Sequence, residues 1–313
     1  MNVNHVTSKI AHVPEHKQAR RSGDADDGRE SGGVRRRTAI ITADDFGFSP
    51  EANAGIIRAH REGVLTGTSL MVAAAAREQA AALARDNPAL DVGLHLVVCR
   101  GFSVLSAQRL AGIVDSERRF GENPVLAGMR YFFNRRVRAL LCDEMRAQIE
   151  THLKLVGALN HIDGHLNFHV HPAIANMLID LAAEYRVPWM RLPREPVFTT
   201  LALARDHALR KLVEATIFRT LSRRARRLMA SRGIRMTDWL FGLHQTGHIT
   251  EDYVAGVIAR MPAGLTEFYF HPAEHAENTA ARREVAVLTS VRIRDALAAA
   301  NVRLTNFAEL ARN

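Results

Sequence analysis

From Thr38 onward, short apolar runs alternate with segments whose apolar residues recur every three or four positions. The first pattern predicts buried strands and the second predicts amphipathic helices. Strands are expected over Ala39–Ala43, Leu65–Ala73, Asp91–Val98 and Asn160–Gly164. Four more are expected over Val187–Leu192, Arg235–Leu243, Leu265–Phe270 and Val302–Thr305. Between them, helices are expected over Pro50–Glu62, Ala75–Arg85, Met129–Val156, Pro172–Tyr185, Leu201–Arg232, Thr250–Arg260 and Arg282–Ala299. Ser49 and Thr250 are placed to cap helices, Pro50 suits a first helical position, and Gly63 and Asn87-Pro88 mark stops. Cys99–Leu126 has no clear period and reads as a long loop over the strand ends, a candidate lid.

About eight strand–helix units in succession predict a parallel sheet that closes, or nearly closes, on itself. The expected fold class is α/β, a TIM-like (β/α) barrel with room for distortion. An open doubly wound sheet is the rival. Its first strand-to-helix turn would be Asp44-Asp45-Phe46-Gly47, which lacks the glycine fingerprint of a dinucleotide site.

Residues 1–37 are polar, charged and glycine-containing, with no apolar block. They are expected to form a disordered tail rather than a secretory signal, leaving 38–313 as one barrel domain. No stretch reaches the run of about 18 apolar residues that a membrane span needs, so a cytoplasmic protein is expected. Cys99 and Cys142 are the only cysteines, too few for a disulfide framework or a cysteine-based zinc site.

Polar residues interrupt the apolar strands near their C-terminal ends. The first strand brings Asp44 and Asp45, the third His95, and the fourth His161, Asp163 and His165, with His169 and His171 beyond. The fifth brings Arg191 and the seventh His271. In a parallel barrel these ends share one rim, where active sites of this architecture lie. Imidazole and carboxylate are ligands suited to zinc, iron and similar ions. In an extended strand His161, Asp163 and His165 would point the same way. Two adjacent carboxylates repel unless a cation lies between them. Arg191 is costly at a strand end unless paired, and Asp44 is its obvious partner.

Five motifs carry a family resemblance. They are Thr42-Ala43-Asp44-Asp45-Phe46-Gly47, Gly93-Leu94-His95-Leu96, the block His161–His171, Arg191-Leu192-Pro193 and Tyr269-Phe270-His271-Pro272. In this order they resemble the YdjC-like carbohydrate deacetylases, and within them the hopanoid-biosynthesis-associated HpnK type. The resemblance implies a metal-dependent removal of an N-acetyl group from an amino sugar. It implies one divalent ion, zinc or magnesium, on Asp45, His95 and His165. Asp44 would be the general base, His271 the general acid, and Arg191 would orient Asp44. Gly164 and Thr42 stand where many relatives carry Ser and Asn.

The net charge of +9 invites an anionic neighbour. Arg219, Arg223, Arg224, Arg226, Arg227, Arg232 and Arg235 crowd one helical stretch, and Tyr131–Phe133 lies among further arginines. One reading is solvated helix faces. The other is docking on anionic lipid through Arg219–Arg235, with the aromatics dipping into the interface, as an amino-sugar glycolipid substrate would require. The implied substrate is N-acetylglucosaminyl hopanoid, with a soluble chito-oligosaccharide such as chitobiose as the alternative. A basic nucleic-acid-binding protein is the non-enzyme rival. It leaves the Asp and His rim unexplained, and no nucleic-acid-binding motif is present, so no nucleic-acid partner is expected.

Overall fold

The longest strand, β1 (Arg37–Phe46), has Ala39, Ile40, Ile41 and Ala43 all buried, so both of its faces are covered. That is why it reads as a continuous apolar run rather than an alternation. The computed structural model describes residues 36–275 and 277–312. The expected tail therefore lies outside the described residues up to residue 35.

Along one side, β1 pairs with β7 (Gly264–Phe270) from Arg37 to Ala43. Along the other it pairs first with β8 (Val302–Thr305), through Arg37–Ile40, and then with β2 (Gly67–Leu70) from Thr42 onward. All pairings are parallel, and the path runs β5-β4-β3-β2-β1-β7-β6 among the described residues. Here β3 is Asp91–Leu96, β4 is His161–Gly164, β5 is Trp189–Met190 and β6 is Trp239–Phe241. The ends of that path meet through isolated bonds. Met190 N–H donates to Arg235 O at 3.0 Å, and Leu240 N–H to Arg194 O at 3.0 Å. The sheet is thus the expected TIM-like barrel, distorted where β5 and β6 approach.

Helices cover the outside. In α1 (Pro50–Glu62) the Ser49 side chain accepts from Ala52 N–H and Pro50 opens the first turn, as the pattern predicts. A Cβ at Gly55 would lie 2.8 Å from Ala273 Cα, so this glycine lets the segment after β7 lie against α1. The remaining helices are α2 (Arg77–Arg85), α5 (Pro172–Glu184), α8 (Glu251–Arg260) and α11 (Phe307–Arg312), with three pairs described next.

Three stretches expected as single helices are each two. Met129–Val156 becomes α3 (Pro124–Phe133) and α4 (Arg135–Val156), broken at Asn134, whose side chain accepts from Val137 N–H. Leu201–Arg232 becomes α6 (Val197–Leu203) and α7 (Ala208–Ser231), and Arg282–Ala299 becomes α9 (Thr279–Leu288) and α10 (Val291–Ala299). Asn134 and Ser290 are polar capping residues inside otherwise helical patterns, and each starts a new helix. The expected strand Val187–Leu192 shrinks to two ladder residues because apolar character reports burial: Val187 and Leu192 are buried off the ladder.

Loop 99–126 is strapped down rather than poised as a lid. Leu110, Ile113 and Phe120 are buried, and the Glu144 carboxylate on α4 accepts from Val104 N–H at 2.8 Å and Leu105 N–H at 2.9 Å. Among the described residues, no helix is long and apolar enough to cross a membrane.

Candidate active site

The C-terminal end of β1 breaks strand regularity, and the site depends on that break. Its register against β2 shifts between Ala43 and Phe46, and Asp45 takes a left-handed conformation with φ 65°. In a regular strand, adjacent side chains face opposite sides. Here both carboxylates reach the same imidazole. Asp45 Oδ1 lies 3.3 Å from His95 Nε2, while Asp44 Oδ2 lies 4.0 Å from His95 Nδ1. Gly47 follows with φ 88°, and its N–H donates to the buried Asn53 side chain at 2.7 Å, which pins the turn to α1.

His165 is not on β4. The strand stops at Gly164, and His165 opens a 3₁₀ turn, so the expectation that His161, Asp163 and His165 share one strand face is corrected. The turn carries Leu166 and Asn167 at positive φ, 54° and 55°. His165 Nδ1 nevertheless reaches Asp45 Oδ1 at 3.3 Å, and its ring stands edge-on to His95 with centroids 5.5 Å apart. Asp45, His95 and His165 thus place one potential ligand atom each within 4.8 Å of one another. Asp45 Oδ1 and His95 Nε2 are buried atoms with no hydrogen-bond partner among the described residues. Buried atoms of this kind, 3.3 Å apart and with His165 Nδ1 3.3 Å from the same oxygen, fit a divalent cation.

The surrounding residues orient this triad. Asp163 Oδ1 lies 2.6 Å from His95 Nδ1, and Ser69 Oγ lies 3.1 Å from the same nitrogen. A carboxylate on the far ring nitrogen directs Nε2 at the cation position. Burial works against a charged His95, yet Asp163 and Asp44 outweigh it and push its pKa up to about 10. Burial likewise works against charge on Asp163 and Asp45. Arg191 and His95 hold Asp163 well below the usual carboxylate range, and His165 and His95 do the same for Asp45.

Beneath them, Arg191 is fully buried and meets three carboxylates. Its Nη1 and Nη2 donate to Asp44 Oδ2 and Oδ1 at 2.6 and 2.8 Å. Nη2 also lies 2.9 Å from Asp163 Oδ2, and Nε donates to Glu267 Oε1 at 2.9 Å. Thr42 Oγ1 joins the cluster, accepting from Nη2 at 3.2 Å and donating to Glu267. The guanidinium carbon sits 4.6 Å from the centroid of the Tyr269 ring. Burial pushes the Glu267 carboxyl up, with Arg191 opposing.

His271 follows β7, with its ring edge-on to Tyr269 and its backbone N–H donating to the Glu284 carboxylate on α9. With Asp44 it lines two cavities. One, about 210 Å³, is lined by Asp44, His95, His165 and Tyr269 together with Glu214 and Phe218 of α7. The other, about 420 Å³, is lined by Asp44, Asp45, Phe48 and Ser49. The structure therefore gathers all six expected site residues, Asp44, Asp45, His95, His165, Arg191 and His271.

It separates other members of the histidine block from the triad. His161 is buried against Phe307, 3.5 Å from Asp91 Oδ2. His169 Nε2 pairs with Arg191 O at 3.0 Å, and burial pushes its pKa down to about 4. His171 caps α5 by accepting from Ala173 N–H. Glu267, Ser69 and Glu214 are missing from the sequence reading. Glu267 had a legible signal, a carboxylate inside an apolar strand; Ser69 and Glu214 had none.

A family model described as YdjC-like protein matches residues 38–299. The chain belongs to the YdjC-like family. Carbohydrate deacetylases of Brevibacillus brevis and Vibrio cholerae are 40% and 36% identical to this YdjC-like chain over 151 residues, 48% of it. One from Geobacillus stearothermophilus is 36% identical over 173 residues, 55% of this chain. These matches span 57%, 56% and 63% of the relatives' own lengths. Among solved structures, a proposed cellobiose-phosphate cleavage protein of Enterococcus faecalis V583 superposes with a TM-score of 0.69 at 23% identity, covering 88% of this chain and 99% of that one. That likeness carries the fold.

Proposed function

We propose that this YdjC-like chain hydrolyses the N-acetyl group of an amino sugar, releasing acetate and a free amine. The observation that carries the reading is the pairing of two units at one rim. One is the triad Asp45, His95 and His165, whose potential ligand atoms lie within 4.8 Å of one another; the other is a carboxylate, Asp44, gripped by Arg191. The likeness to carbohydrate deacetylases supports it.

Asp45, His95 and His165 would hold one divalent cation, and their two nitrogen donors favour zinc over magnesium. When bound, such an ion supplies Lewis acidity toward an acetyl carbonyl and toward water. Asp44 accepts the proton of the attacking water, as a general base. Arg191 keeps both oxygens of Asp44 fixed, so the carboxylate meets the water in one orientation. Asp163 and Glu267 share the guanidinium charge. As the C–N bond breaks, His271 donates a proton to the departing nitrogen from the other side of the cleft. Water has then supplied the acetate oxygen, and the amine leaves neutral before taking up a solvent proton.

The finer proposal is an amino-sugar glycolipid as substrate, with N-acetylglucosaminyl hopanoid the instance that the HpnK-type resemblance implies, met at the inner face of the cytoplasmic membrane. Incubating the purified chain with N-acetylglucosaminyl lipid and with N,N′-diacetylchitobiose, and measuring acetate, tests both levels. Acetate from the lipid is expected. Acetate from chitobiose alone would move the substrate to soluble oligosaccharides, and acetate from neither would remove the deacetylase reading.

A further inference from the structure

The basic stretch Arg219–Arg235 does not act as one surface. Arg232 pairs with Asp180 on α5 at 2.7 Å, Arg224 reaches Asn176, and Arg235 stacks on Trp189. Arg219, Arg223 and Arg226 are different. Spaced by four and three residues, they share one face of α7, and none has an ion-pair partner among the described residues. All three line a groove of about 590 Å³ between α7 and residues 192–198.

Leu192, Val197, Phe198, Leu212 and Phe218 give the groove apolar walls, and Arg194, Glu195 and His244 also line it. Apolar side chains on the two flanking helices are exposed. Phe198 is 78% exposed and Leu209 77%, and Val213 and Ile217 continue the stripe along α7. The N-terminal half of that helix buries only Lys211. Phe218 also lines the catalytic cleft with His165 and His271, so groove and cleft adjoin. Of Tyr131–Phe133, expected to dip into lipid, Tyr131 is buried with its hydroxyl on Val98 O at 2.6 Å, while Phe132 and Phe133 are exposed.

We propose that this groove seats one anionic phospholipid, its phosphate on Arg219, Arg223 and Arg226 and its chain along the apolar wall, with Phe198, Leu209 and Val213 entering the bilayer. Guanidinium groups without carboxylate partners match a phosphate, and exposed apolar side chains beside them match the chain region just below it. Docked so, the protein holds its catalytic cleft next to the bound lipid, since Phe218 lines both cavities. The proposal shares with the preceding reading only the idea that the substrate is lipid-borne.

The test is co-sedimentation of the full chain with phosphatidylcholine vesicles, with and without phosphatidylglycerol. Binding is expected only with phosphatidylglycerol. Arg219→Gln/Arg223→Gln/Arg226→Gln should weaken it on the order of 100-fold. The charge-matched Arg227→Gln/Arg282→Gln/Arg283→Gln should weaken it far less. Monomeric dihexanoylphosphatidylglycerol should bind at one per chain, and inorganic phosphate should not displace it. Equal losses in the two triple variants, equal binding to neutral vesicles, or no binding of the short-chain lipid would each overturn the groove. No turnover is measured, so a chain that binds lipid but releases no acetate would sink the deacetylase reading and leave this one standing.

Discussion

Arg191 holds both oxygens of Asp44, one on each terminal nitrogen, at 2.6 and 2.8 Å. A fork of this kind fixes the plane of the carboxylate as well as its charge, which a lysine ammonium cannot do. Arg191→Lys should therefore lower turnover on the order of 10²-fold, through misplacement of Asp44. Arg191→Met should do more, because Asp44, Asp163 and Glu267 lose their common buried cation. Urea denaturation should then report a loss of about 3–5 kcal/mol. A methionine variant as stable as the parent would mean that these carboxylates are compensated elsewhere.

His165 sits on a turn with two left-handed residues, and among the described residues its ion-pair partner is Asp45. Its role can thus be separated from that of its neighbours in the histidine block. His165→Ala should reduce bound divalent metal from about one per chain to nearly none, since a three-residue site loses a ligand. His171→Ala should leave the content unchanged. Elemental analysis after dialysis reads both, and retained metal in the first variant would place the ion on other residues.

Glu144 is buried and braces the loop after β3 through two amides and the Gln148 side chain. Burial pushes its pKa up, while the Leu105 and Val104 amides favour the charged form. Glu144→Ala leaves two N–H groups without their acceptor, a loss of about 1–3 kcal/mol for each that stays buried. Faster proteolytic cutting within residues 99–126 is the expected sign. A digestion pattern identical to the parent's would show that apolar packing alone holds the loop.

His152 gives a pH dependence remote from the metal triad. Its Nε2–H donates to Ala158 O at 3.0 Å, and burial pushes its pKa down to about 4, with that hydrogen bond opposing. The unfolded chain then takes up a proton near pH 6.5, where the native one does not. Stability from this group is complete above that value and falls as pH drops toward 4. Between pH 7 and pH 5 the loss amounts to about 2 kcal/mol. His152→Gln should flatten this part of the curve in urea unfolding at the two pH values. An unchanged slope would assign the dependence to other histidines.

The architecture was legible because strands buried on both faces leave unbroken apolar runs, and the polar residues that end them mark the rim. Asp44, Asp45, His95 and Arg191 all announce themselves in this way. What stayed hidden depends on backbone departures from regularity. The left-handed turn at Asp45, which aims neighbouring carboxylates at one ring, leaves no trace in a periodicity. The 3₁₀ turn that moves His165 off β4 is equally silent. His161 illustrates the converse: its residue type suggests a ligand, yet its place at the start of β4 buries it against Asp91 and Phe307. Helix breaks at Asn134 and Ser290 were readable in principle, as capping residues inside a helical pattern. The carboxylate partners of Arg191 other than Asp44 come from β4 and β7, and only their pairing into one barrel brings them together.

The central claim is that Asp44 handles a proton while Asp45, His95 and His165 hold the cation. Asp44→Asn removes the base and spares the ligands, so metal content and acetate release measured on the same preparation separate the two roles. The account predicts a full complement of metal with acetate release from the N-acetylated sugar lowered by about 10²–10⁴-fold. Near-parental acetate release from a metal-loaded Asp44→Asn protein would contradict it.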